Sequence, residues 1–162
     1  MSSESYGLIG VDTSEVSSTA TFGVGQYSYG DDNAGYVYVK FTGIVSGASR
    51  AVTIDESWNA IQATQAGLGD GHKVGVSLHT TPNTANQYGW VQIKGVAQAY
   101  VESGGAADSL LGVSGTSGIF ATVASASTAF GLLGAVNAAA GSGTTAAKEV
   151  ILNFPHWNGY AA

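Results

Sequence analysis

A chain of 162 residues is long enough for one domain with a true core and too short for two ordinary ones. Its formal charge of −6, from 11 acidic and five basic side chains, opposes a sheath of phosphates and excludes nucleic acid as a partner. Charged residues make up only 10% of the chain, against about 25% in ordinary soluble domains, and the absence of Cys excludes a disulfide framework, a thiolate nucleophile and a Cys-based metal site.

Residues 1–20 read as an N-terminal arm, extended or disordered when free. They are mostly Ser, Thr, Glu and Asp, with Leu8, Ile9 and Val11 as a brief apolar interruption and no helical or alternating pattern. The start has neither the basic nor the apolar region of a secretory signal. Residues 21–153 read as a β-rich body. Phe22, Val24, Tyr27 and Tyr29 lead into the turn Gly30-Asp31-Asp32-Asn33-Ala34-Gly35, whose Gly, Asn and Asp residues suit a chain reversal. The strand from Tyr36 to Phe41 then places Tyr36, Tyr38 and Lys40 on one face and Val37, Val39 and Phe41 on the other.

Ala51 to Ile54 is a second short strand, with Asn59 to Ala63 returning beside it. Val74 to Leu78 follows the glycines Gly67, Gly69 and Gly71, and Trp90 to Gly95 continues through Val101. Leu110 to Val113, Ile119 to Val123, and a closing pair around Gly134 and Val150 complete the body. Although Ala121 to Ala140 is rich in Ala, Gly131, Gly134 and scattered Ser and Thr argue against a helix there. Residues 154–162 form an aromatic tail containing Trp157 and Tyr160. Many short strands separated by turn signals describe an all-β domain, a sandwich or partly open barrel built from related hairpins, with little helix. The longest apolar run, Phe130 to Val136, is far below the roughly 18 to 20 residues of a spanning helix, so no membrane partner is expected.

An internal echo runs through this body. Gly23 precedes Tyr36 by 13 residues and Gly75 precedes Tyr88 by the same 13. At a shift of 52, Tyr36 matches Tyr88, Tyr38 matches Trp90, Val39 matches Val91, Phe41 matches Ile93 and Gly43 matches Gly95. Leu133 to Val136, leading to Lys148 to Leu152, is a weaker third copy. Repeats that each present one apolar face and cannot bury it alone must stack on one another.

The inventory for chemistry is thin. His72, His79 and His156 lack ligand spacing, so no metal site is expected. Asp31-Asp32-Asn33 and Asp55-Glu56 fail the calcium-loop pattern and read as turn formers. No glycine-rich stretch meets a following Lys-Ser/Thr at a strand-to-helix junction, and no Gly-x-Ser-x-Gly elbow occurs, so neither a phosphate cradle nor a hydrolase triad is expected. No cofactor is expected. The Tyr and Trp rows, Tyr36, Tyr38, Tyr88 and Trp90 with Trp58, suit cross-strand pairs, a protein interface or a platform for sugar rings.

The order and spacing of Val74-Gly75-Val76-Ser77-Leu78, Tyr88-Gly89-Trp90-Val91-Gln92-Ile93-Lys94-Gly95-Val96-Ala97, Ala106-Ala107-Asp108-Ser109-Leu110-Leu111 and Lys148-Glu149-Val150-Ile151-Leu152-Asn153 resemble the head decoration, or cement, proteins of tailed bacteriophages. Tyr36 to Lys40 with Ala51 to Asp55 is similar to the opening half of the same pattern, so the resemblance covers roughly residues 22–153. It implies a non-enzymatic β-rich subunit, usually a homotrimer, synthesised in the host cytoplasm and bound to the major capsid protein on the outer surface of an expanded icosahedral shell. The Ser-rich start and the aromatic tail lie outside it. On this reading the candidate interface residues are Leu8, Ile9 and Val11 in the arm, Tyr36, Tyr38, Tyr88 and Trp90 in the body, and Trp157 and Tyr160 in the tail. A carbohydrate-binding module using the aromatic rows is the alternative.

Overall fold

The computed structural model describes residues 12–67, 72–80, 83–123, 131–138, 140 and 144–157. Eleven strands appear among them: β1 (Val16–Ser17), β2 (Tyr27–Tyr29), β3 (Gly35–Phe41), β4 (Ala51–Ile54), β5 (Asn59–Gln62), β6 (Lys73–Ser77), β7 (Gln87–Val101), β8 (Leu110–Val113), β9 (Phe120–Thr122), β10 (Gly131–Asn137) and β11 (Ala146–Trp157). Two 3-10 turns, Asp31–Asn33 and Gln65–Gly67, are the helical elements of the described residues. The chain is all-β, as its alternation predicts, and the described part of the Ala-rich stretch is mostly strand, in β9 and β10, with no helix.

All the strands join one hydrogen-bonded network, and its ladders close twice around β7. In the first ring β7 pairs with β3 and with β6, β6 with β4, β4 with β5, and β5 with β3 in parallel. In the second, β7 pairs with β9 in parallel and with β11, while β9 continues through β8 and β10 to β11. Closure leaves few unpaired strand edges, the positions where β proteins tend to join edge to edge.

Each ring encloses a core. Val37, Val39, Phe41, Val45, Val52, Ile54, Ala60, Val91 and Ile93 fill the first. The second holds Ala97, Ala99, Val101, Leu111, Val113, Phe120, Leu132, Ala135, Val150 and Leu152. Strands β4 and β6 form a wall between them, because alternate side chains point opposite ways. Val52 and Ile54 enter the first core, whereas Ala51, Val74 and Val76 belong to the second. Gly75 faces the first core where the strands come closest: a Cβ there would collide with Val91 Cγ1 and the Gln92 carbonyl oxygen.

The sequence echo acquires a geometric meaning. Strand β3 lies antiparallel to the first half of β7, with Tyr38 directly opposite its counterpart Trp90. The two matched copies therefore face each other across a local two-fold relation centred on this pair. Each copy has an antiparallel partner strand: β2 places Tyr27 opposite Val37, and β6 places Ser77 opposite Val91. The backbone bonds Gly25 N to Tyr38 O and Tyr38 N to Gln26 O, both 2.8 Å, extend the first hairpin to a bulge in which Gly25, with φ of +83°, and Gln26 together oppose Tyr38. The third copy is the β10–β11 hairpin, bulged between Leu133 and Ala135. Gly134 makes the bulge possible, with φ of +88° and no room for a Cβ beside the Asn153 carbonyl oxygen.

The described half of the arm lies on the body. Val16 and Ser17 form β1, opposite Gly89 and Tyr88 at the start of β7. Residues 154–157 of the tail continue β11, with His156 opposite both Leu133 and Lys73.

Candidate functional site

The aromatic rows gather into one cluster on the outer face of the β3–β7 ladder. Tyr38 and Trp90, opposite one another in register, have ring centres 5.1 Å apart, and Tyr88 lies nearly parallel to Tyr38 at 6.3 Å. Phe22 covers both, 5.3 Å from Tyr38 edge-on and 5.3 Å from Trp90. The Thr21 amide donates to the Tyr38 hydroxyl oxygen at 3.2 Å. The strap from Asp12 to Phe22 thus closes this face. Tyr36, Tyr38 and Trp90 are buried, at 9%, 3% and 2% exposure, and Tyr88 is half-buried. Burial pushes the Tyr36 phenol above its ordinary pKa, and the Asp31 carboxylate adds to the shift.

A cleft of about 120 Å3 remains where strap meets cluster, bounded by Asp12, Glu15, Ser17, Thr21, Phe22 and Tyr88 among others. Hydrogen bonds from the Ser14 hydroxyl and amide hold the Asp12 carboxyl below its ordinary pKa. The cleft therefore carries negative charge. A sugar platform requires free ring faces, and Tyr38 and Trp90 present almost none.

A second cleft, about 280 Å3, is lined by Lys73, Ile93, Phe154, Pro155 and His156 where β6 meets the end of β11. Its walls are mostly apolar. His156 Nδ1 lies 3.3 Å from the Phe154 carbonyl oxygen, and Lys73 Nζ sits 4.5 Å from the Trp58 ring centre.

The remaining histidines have structural surroundings. His72 Nε2 is 3.7 Å from the exposed Glu56 carboxylate. His79 is only 2% exposed and stands edge-on to Phe41 at 5.2 Å. Neither of its ring nitrogens is hydrogen-bonded; burial pushes its pKa down, and the neighbouring Val45 backbone opposes this only in part. Asp55 is a turn former: its Oδ1 accepts from the Ser57 and Asn59 amides at 2.9 and 2.8 Å. Among the described residues, no group of three or more His, Asp or Glu is placed to hold a metal ion.

Of the interface candidates, Tyr36, Tyr38, Tyr88 and Trp90 come together, but mostly beneath the strap. The backbone of Trp157 ends β11 opposite Leu132 in the second ring. Leu8, Ile9, Val11 and Tyr160 lie outside the described residues. Sequence reasoning missed Phe22 as the cover of the cluster and missed a group of exposed aliphatic residues, Val96 (56%), Ile151 (44%) and Leu110 (52%). A signal for Val96 was available: it falls on the same side of the alternation as Gln98, opposite Ala97 and Ala99.

No protein-family model matches the chain, and no curated protein matches it.

Proposed function

We propose that this protein is a structural subunit that decorates the outer surface of an icosahedral phage head and binds the major capsid protein across subunit seams, itself clustering as a homotrimer. The observation that carries the reading is the combination of a doubly closed all-β body with a chain in which charged residues are only 10% of the total. Polar but uncharged groups cost little to cover when they find hydrogen-bond partners, whereas burying unpaired Lys or Glu costs far more. Exposed Val24, Ile44, Ile61 and Phe154 supply further apolar contact area. The resemblance of residues 22–153 to cement proteins agrees with this physics.

The mechanism is mechanical. A subunit that binds only the assembled, expanded shell raises the free energy needed to open it, because dissociation must first remove the subunit. Clustering several copies multiplies modest contacts through effective concentration. Leu8, Ile9 and Val11 of the arm are the proposed contacts with a neighbouring shell subunit, while residues 12–22 lie on the body. Incubating the protein with emptied, expanded heads and sedimenting the mixture tests the reading. Saturable retention on heads is expected, and retention on a glycan array with none on heads would overturn it in favour of carbohydrate binding.

A further inference from the structure

Four aliphatic side chains form a continuous row across the outside of the second ring. Val96 on β7 stands opposite Ile151 on β11, Ile151 opposite Val136 on β10, and Val136 opposite Leu110 on β8. Val96, Ile151 and Leu110 are exposed and Val136 is half-buried. Adjacent strands are about 4.8 Å apart, so the row spans about 14 Å. Isolated exposed aliphatics are ordinary, but four in direct cross-strand register make an apolar row of the kind that marks an interaction surface.

The charges beside the row identify the occupant. One ladder step to one side, half-buried Lys94 stands opposite Asn153; one step to the other, Gln98 stands opposite exposed Glu149. Among the described residues neither Lys94 nor Glu149 has an ion-pair partner, in a chain where charged groups are only 10% of the total. Lys94 Nζ instead lies 5.9 Å and 5.8 Å from the ring centres of Tyr29 and Phe154. A two-fold axis running along the row turns this arrangement onto itself, laying apolar row on apolar row and bringing Lys94 of each copy to the Glu149 side of the other. An isologous contact requires this self-complementarity.

We propose that this face binds a second copy of the same chain, two copies packing row on row about a two-fold axis with Lys94 and Glu149 paired across the contact. This pairing belongs to the free chain and the homotrimer proposed above to the decorated shell, so either can fail alone.

Sedimentation velocity over a concentration series tests it. The wild-type 16.3 kDa chain should shift reversibly to twice its mass. Ile151→Lys should abolish the shift. Lys94→Glu and Glu149→Lys should each raise the dissociation constant about tenfold or more by setting like charges together, and the double reversal should restore it. Far-UV circular dichroism and melting of each variant verify that it is folded. A wild-type chain monomeric to millimolar concentration overturns the proposal, as does a dimer indifferent to Ile151→Lys or a double reversal without rescue. A trimer dispersed by Ile151→Lys also overturns it, since the face would then serve a threefold contact. Ile151→Lys that abolishes head binding by a monomeric wild type assigns the face to the shell and overturns it equally.

Discussion

Replacing Phe120 by Ala should melt both cores together, although the side chain lies in only one of them. Phe120 is fully buried in the second core. Removing a buried phenyl ring typically costs about 3 to 5 kcal/mol, the lost transfer free energy plus that of the cavity left behind. In a domain of this size each kcal/mol lowers the melting temperature by about 2 to 4 °C, so a drop near 12 °C is expected. The shared wall transmits the loss. Ala51, Val74 and Val76 face the second core from the same two strands whose Val52 and Ile54 face the first, and β7 contributes Val91 and Ile93 to one core and Ala97, Ala99 and Val101 to the other. Tryptophan fluorescence in a Trp157→Phe background reports Trp58 and Trp90, both placed at the first ring. Its transition should coincide with the far-UV circular dichroism transition and with a single calorimetric peak, before and after the Phe120 change. A fluorescence transition left at its original temperature while ellipticity falls earlier would refute the shared wall and describe two independent units.

Acid should destabilise the fold through His79. Its folded pKa lies below the unfolded value of about 6.5, so the unfolded chain binds the extra proton and stability falls as pH drops through that value, by at most about 1.4 kcal/mol per pH unit from this group. Urea titrations at stepped pH should give a flatter profile for His79→Leu, and an unaltered profile would refute the assignment. Tyr38→Phe removes the acceptor for the Thr21 amide; faster hydrogen exchange at Thr21, with a loss of about 0.5 to 1.5 kcal/mol in local protection, is expected, and unchanged exchange would exclude this bond as the strap's anchor. Gly75→Val should prevent β6 from approaching β7, giving insoluble or molten protein by circular dichroism, whereas Val76→Ala on the opposite face should fold with a modest loss; a native-like melting curve for Gly75→Val would contradict the close approach.

Much of the strand pattern was legible because alternation leaves a direct trace: Val37, Val39 and Phe41 turn inward as a set while Tyr36 and Tyr38 share the other face. The Asp55 turn was legible for a similar reason, since its carboxylate closes a local hydrogen-bond pattern set by neighbouring residues. Ring closure was not legible. It depends on β7 serving different partners along 15 residues, pairing through Gly89 with β1, through Val91 with β6 and through Ala97 with β11. The continuation of the strand past Gly95 to Val101 was legible, and that glycine, with φ of +86°, does not end it; the partners it meets on either side were not. The aromatic rows looked like a surface because alternation cannot distinguish a face turned to solvent from one covered by distant Phe22. The burial of His79 was not legible for the same reason: its packing against Phe41 is set by long-range contacts.

An electron-microscopy map of phage heads incubated with the protein tests the proposed outer-shell decoration. Density is expected outside the shell, over seams between capsid subunits, into which the doubly closed β body fits. Heads that retain the protein in their interior or at the tail, or that show an undecorated exterior after saturating incubation, would contradict it.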